Sequence, residues 1–281
     1  MGLIDLDAPP PPGAKITVYD FRLFRGTPLW ELTKATVIQD TERMKKIVQE
    51  NKLDVDYQEP KFAETLLSLE VINERFESSK ILLELGADPN KQGNTLSKGY
   101  SPIMYGASVK DSRLLKLLLA YGGNPNAEAK GKIISGIITY TPLMNASQSG
   151  NLENVKLLID AGANIHFRDE LGETPLTEAL VLDHLDVVLY LLENGINYKQ
   201  QFGTSSGKNY NTKEAYPVYI ADKLRFSILP LDSEQYKQKM KVITFLKKNG
   251  IDYRATPIPL AAYNTAKRLY PRNWEAYLEK Y

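Results

Sequence analysis

Nucleophilic, acid–base and metal chemistry each need particular side chains at particular spacings, and this 281-residue chain is sparing with them. It contains no cysteine and two histidines, His166 and His184. Disulfides, thiolate catalysis and cysteine-built zinc sites are therefore excluded. A serine-centred triad would need one of the two histidines as its base, and no G-x-S-x-G turn presents a serine. No H-E-x-x-H, G-x-x-x-x-G-K-[ST] or G-x-G-x-x-G motif occurs. The 34 carboxylates allow an acid pair, but no spacing singles one out. His166 is expected in a solvated loop and His184 at a turn between helices. The expectation is a non-catalytic chain that needs no cofactor and no metal.

The elements that would position any site come from an internal repeat. A hydroxyl residue followed by an apolar pair recurs at Thr27-Pro28-Leu29, Thr65-Leu66-Leu67, Ser101-Pro102-Ile103, Thr141-Pro142-Leu143 and Thr174-Pro175-Leu176. Tyr216-Pro217-Val218 is a degenerate sixth start. Four of these starts are followed after 21 positions by Gly86, Gly122, Gly162 and Gly195. A Thr or Ser caps a helix, Pro suits its first turn, and a glycine in the left-handed conformation ends a second helix. The constant spacing thus predicts helix pairs of fixed length. Leu67, Ile103, Leu143 and Leu176 hold one position of the first helix. Gly106, Ala146, Ala179 and Ala221 hold a small position three residues later. Glu70 stands where those small residues sit, so it needs a partner, either an internal salt bridge with Arg75 or Lys110 or a ligand contact. Each pair is too small to bury its apolar face alone, so neighbours must stack.

This pattern resembles the ankyrin repeat, whose motif runs T-P-L-x-x-A, then a leucine-rich helix, then G-A-D-x-N. The tails here read Gly86-Ala87-Asp88-Pro89-Asn90, Gly122-Gly123-Asn124-Pro125-Asn126, Gly162-Ala163-Asn164-Ile165-His166 and Gly195-Ile196-Asn197. The resemblance implies an all-α ankyrin-repeat solenoid of about six helix-turn-helix repeats, with β-hairpin-like fingers and a C-terminal helical cap. Repeats are expected near 27–57, 65–90, 101–126, 141–166, 174–198 and 216–253. Residues 1–26 are read as an extended proline-containing segment, 27–253 as the repeat domain and 254–281 as the cap.

In the middle repeats the additions to the family's length fall in the fingers, whereas the terminal repeats depart within their helices. The segment Ile133-Ile134-Ser135-Gly136-Ile137-Ile138-Thr139-Tyr140 suggests a protruding hairpin, packed on the neighbouring repeat or contacting a partner. The stretch Gln200–Ala215 reads as a loop without regular structure. The family binds through finger tips and first helices. Carried onto this sequence, that implies a partner-binding surface of Glu31, Tyr100, Tyr105, Ile134, Ile137, Tyr140, Asn145, Glu173 and Glu178. The three tyrosines are the expected hot spots, on the exposed side.

Charge adds a direction. Residues 1–198 carry 20 basic and 27 acidic side chains, and residues 199–281 carry 15 and 7. The overall charge of +1 gives no support for nucleic-acid binding, whereas the acidic part suits a basic protein partner. No apolar run is long enough to span a membrane, and a monomer is expected. Met1 to Ala8 lacks the basic start and apolar core of a secretory signal. Proline runs like Pro9 to Pro12 also follow removed leaders, so a soluble cytoplasmic, a periplasmic and a lipid-anchored location all stay open. Degenerate repeats, long fingers and a basic C-terminal end resemble bacterial ankyrin-repeat proteins, which implies an inhibitor or immunity-type role. The alternatives are a small-ligand binder or enzyme with an unrecognised carboxylate site, and a structural spacer.

Overall fold

The computed structural model describes residues 15–133, 136–205 and 215–281, together with Ala8 and Gly13. The chain divides into two units, Met1–Asn164 and Ile165–Tyr281.

The first unit opens with a single turn at Phe21–Phe24 and continues with four helix pairs: α1 (Trp30–Val37) with α2 (Thr41–Asn51), α3 (Leu66–Ile72) with α4 (Phe76–Glu84), α5 (Pro102–Ser108) with α6 (Ser112–Ala120), and α7 (Pro142–Ser149) with α8 (Leu152–Asp160). First helices pack on first helices from α3 to α7, and second helices on second helices from α2 to α8. Local chemistry sets the boundaries. Thr65 and Thr141 accept hydrogen bonds from Ser68 N and Met144 N. Gly86, Gly122 and Gly162 take φ of 97, 85 and 86° after the second helices. The first repeat departs from this rule. Thr27 accepts from Leu29 N, but Leu29 is the cap residue, and Lys52 takes the left-handed turn at φ 48°.

The core is a leucine ladder. Leu66, Leu67, Leu69, Leu82, Leu114, Leu115, Leu118 and Leu158 are wholly buried. The expected close approach is real at Gly106, where an added Cβ would lie 2.5 Å from Leu118 Cδ1. At the same place in the preceding repeat, Glu70 fits because α4 carries Ser78 and Ser79 where α6 carries Leu114 and Leu115.

A β-hairpin connects α6 and α7, with β1 (Ala129–Ile133) antiparallel to β2 (Gly136–Tyr140) and Ala129 opposite Tyr140. The first strand begins at Ala129, four residues earlier than Ile133, where the β-branched pattern starts.

The second unit contains α9 (Pro175–Val181) with α10 (Leu185–Glu193), a short β3 (Thr204–Ser205) paired with β4 (Tyr216–Pro217), α11 (Ile220–Leu224), α12 (Glu234–Lys248), α13 (Leu260–Leu269) and α14 (Trp274–Lys280). Two expectations are corrected here. Tyr216-Pro217 lies in a strand rather than at a helix start, because Tyr219 caps α11, with its N–H donating to Asp222 Oδ2. The finger read as structureless carries the β3–β4 pairing, and residues 206–214 of it lie outside the described residues. Beyond Pro271, α14 folds back so that Tyr277, Leu278 and Tyr281 form a core with Ala266.

Candidate functional site

The fingers of the first unit lie side by side because one short polar side chain per repeat joins each to the next. Asp56 Oδ1 accepts from Asp88 N at 2.9 Å. Asn90 Oδ1 accepts from Asn124 N at 2.7 Å while its Nδ2 donates to the Gly122 carbonyl at 3.0 Å. Asn126 repeats both bonds, with Asn164 N and the Gly162 carbonyl, at 2.7 and 3.0 Å. The amide of Gln58 donates to the Gln92 carbonyl, and that of Gln92 to the Glu128 carbonyl. Within the first finger, the Glu59 carboxylate gathers the N–H groups of Lys61, Phe62 and Glu64.

Behind these fingers sits the tyrosine set expected at the surface. Tyr100, Tyr105 and Tyr140 are instead 7, 7 and 8% exposed, and Asn145 is 4%. The reason is that neighbouring repeats supply their polar partners. The Tyr100 hydroxyl donates to Asn145 Oδ1 at 3.0 Å, and the Tyr105 hydroxyl to Glu64 Oε1 at 2.8 Å. A tyrosine satisfied in this way can bury its whole ring. Tyr100 meets both other rings edge to face at 5.4 Å. The exposed Lys98 lies over the outer faces of Tyr100 and Tyr140, its Nζ 5.5 and 5.3 Å from their centroids. Gly131 lets the hairpin close on this set, since a Cβ there would stand 2.8 Å from the Tyr140 ring. The base of the hairpin is thus packed internally, with Ala129, Ile138 and Thr139 buried. The result is a rigid platform rather than a row of exposed rings.

The remaining expected residues are scattered. Glu31 is exposed, but Lys34 and Arg43 pair with it at 2.5 and 3.3 Å and offset its charge. Glu173 is half-buried in a finger turn organised by Asp169, whose Oδ1 accepts from Leu171 N and Glu173 N. Glu178 is buried in α9, against the expectation of an exposed first-helix side, because that face packs inward. Ile134 lies outside the described residues, and Ile137 is placed by its backbone in β2. Sequence reasoning passed over Leu96, which is 70% exposed on the second finger. Its signal was an isolated leucine among Asn, Thr, Ser and Lys. Leu171 is its exposed counterpart in the finger of the second unit.

Buried ionisable groups also stand apart from the fingers. Glu70 is fully buried, and neither carboxyl oxygen has a hydrogen-bond partner among the described residues. Among the described residues the expected salt bridge to Arg75 or Lys110 is absent. Arg75 donates to the Val37 carbonyl at 2.6 Å and stacks on Phe21. The nearby hydroxyls of Thr36 and Ser78 donate to the carbonyls of Thr33 and Thr36. Burial raises the Glu70 carboxyl to about 7, against which those hydroxyls and the Arg75 charge pull weakly. In the second unit, Lys239 is buried against Tyr281, 3.7 Å from its ring centroid, and donates to the Ser227 carbonyl at 2.9 Å. Burial and then the Arg225 charge hold its amine well below the ordinary lysine range. Arg225 stacks 4.0 Å from the Tyr253 ring and donates to the carbonyls of Tyr253 and Tyr281. Among the described residues no three histidine or acidic side chains converge to hold a metal ion, and no helix is long and apolar enough to cross a membrane.

Known proteins carry the same pattern. A family model of ankyrin repeats in three copies matches residues 103–201. Protein PhlB of Serratia liquefaciens is 37% identical over 112 residues, 40% of this chain and 45% of that protein, so this chain spans under half of PhlB. Cyclin-dependent kinase inhibitor 2A of Homo sapiens is 32% identical over 117 residues, 42% of this chain and 69% of that protein. Cyclin-dependent kinase 4 inhibitor B of Homo sapiens is 31% identical over 115 residues, 41% of this chain and 76% of that protein. With capped helix pairs, left-handed glycines and finger-to-finger asparagines at the repeat spacing, the chain belongs to the ankyrin-repeat family.

Proposed function

We propose that the chain is a non-catalytic protein-interaction module that engages a partner protein through its fingers and first helices. The observation that carries this reading is the exposed Leu96 on a finger whose base is fixed by the buried Tyr100–Tyr105–Tyr140 set. An apolar side chain held out on a preorganised support loses little entropy on binding. Lys98, exposed and lying over two tyrosine faces, is the group a partner displaces to reach them. Glu173 and the acid surplus of residues 1–198 support a basic partner. Two of the relatives are kinase inhibitors by name, which supports a role in which the bound partner is blocked, including an immunity-type role.

The test is capture of proteins from the native lysate at low and moderate salt by the parent chain and by Leu96→Asp. One stoichiometric protein retained by the parent and lost from the variant, with melting unchanged, is the expected result. Equal capture by both chains, or no retained protein in either salt condition, counts against the reading. Salt-insensitive capture sinks its electrostatic part.

A further inference from the structure

The outer side of the second unit is built differently from that of the first. Helix α12 runs 15 residues, whereas α4, α6, α8 and α10 each run 9. Between α10 and α12 lies an open groove of about 460 Å³. Its floor is apolar and half-buried, formed by Leu189, Met240 and Phe245, and its rim carries the exposed Lys237, Lys241 and Lys248. Phe245 is fixed edge-on against Tyr198 at 5.8 Å, so the floor is preformed. Lys237 pairs with Glu234 at 3.2 Å on the surface, with both side chains exposed, an arrangement worth little. Lys241 and Lys248 have no ion pair among the described residues. The three lysines follow one side of α12 over about 16 Å, the length of three helical turns.

We propose that this groove is a second docking surface, and that its occupant is an acidic amphipathic helix of a partner protein. The charge pattern selects that occupant. An apolar floor flanked by exposed lysines, Lys241 and Lys248 among them without an ion pair in the described residues, calls for an apolar stripe flanked by carboxylates. A nucleic-acid backbone would leave the floor uncovered and would meet Glu193, the carboxylate on the α10 side. A lipid surface takes apolar groups that protrude, whereas Leu189, Met240 and Phe245 are half-buried beside exposed lysines. The module would then join a partner on its fingers to another of opposite charge on its second helices.

The experiment titrates the full chain into a fluorescein-labelled helical peptide about four turns long, with leucines on one face and glutamates flanking them, read by anisotropy at low salt. Parallel titrations use the same peptide with lysine for glutamate, phosphatidylserine vesicles and a single-stranded oligonucleotide. Saturable binding of the acidic peptide is expected. It should weaken about tenfold in Lys241→Glu combined with Lys248→Glu, and should be unchanged in Leu96→Asp. Circular dichroism checks the fold of the double variant, and Lys241→Gln with Lys248→Gln, expected to weaken binding about threefold, replaces it if folding fails. Failure to saturate, equal binding by the charge-altered chain, or tighter binding of vesicles or oligonucleotide overturns the proposal.

Discussion

Glu70→Gln tests the electrostatics of the first unit most directly. In the unfolded chain this carboxyl ionises near the ordinary value of 4.5, and in the folded chain burial raises it to about 7. Between those values the folded state keeps a proton that the unfolded state releases. Stability therefore falls as pH rises through that window, being highest below the lower value and flat above the upper one. The full loss is at most about 3 kcal/mol. Glutamine keeps the shape and cannot ionise, so its stability carries no such slope from this site. The variant should lie within about 1 kcal/mol of the parent at pH 5 and exceed it by about 2–3 kcal/mol at pH 8. Urea unfolding followed by circular dichroism across this pH range gives the difference. A difference that does not change with pH would refute the reasoning, because it would mean that Glu70 is ionised and compensated in the folded state. A difference that shrinks as pH rises would reverse the sign of the argument.

Other expectations are equally specific. Gly131→Ala forces a Cβ to 2.8 Å from the Tyr140 ring and should cost about 1–3 kcal/mol in urea unfolding; a neutral result would mean the hairpin base shifts freely. Tyr105→Phe removes the 2.8 Å donor to the buried Glu64 and should cost about 1–2 kcal/mol, while an unchanged urea midpoint would show the bond to be dispensable. Lys239→Met removes a buried amine whose ionisation is held well below normal. A depressed lysine makes parent stability rise with pH, so the variant's advantage should be largest in acid and shrink towards pH 9; a constant difference in paired unfolding curves would refute it.

The repeat itself was legible because its signals are local. A threonine cap, a proline in the first turn and a left-handed glycine each settle a boundary through their own backbone chemistry. The 21-residue interval from Thr141 to Gly162 or from Thr174 to Gly195 therefore fixed helix pairs before any packing was known. The hairpin strands on either side of Ile134-Ser135 were legible from their β-branched runs. The start at Tyr216 was misplaced where those signals decay: Tyr219 and Asp222 form the cap instead, and the residues before them pair as a strand.

What the tertiary structure alone decided is which polar side chains are satisfied. Tyr105 reads as a surface anchor until Glu64, 41 positions away, accepts its hydroxyl. Tyr100 does so until Asn145, 45 positions away, accepts its own. Glu70 was visible as an odd residue, but its isolation follows from Arg75 and two hydroxyls being committed to backbone carbonyls. The burial of Lys239 and Arg225 likewise depends on aromatic rings returned by α14 and the segment before α13. Period and capping are written residue by residue, whereas burial of a charge or hydroxyl depends on partners the chain brings together only by folding.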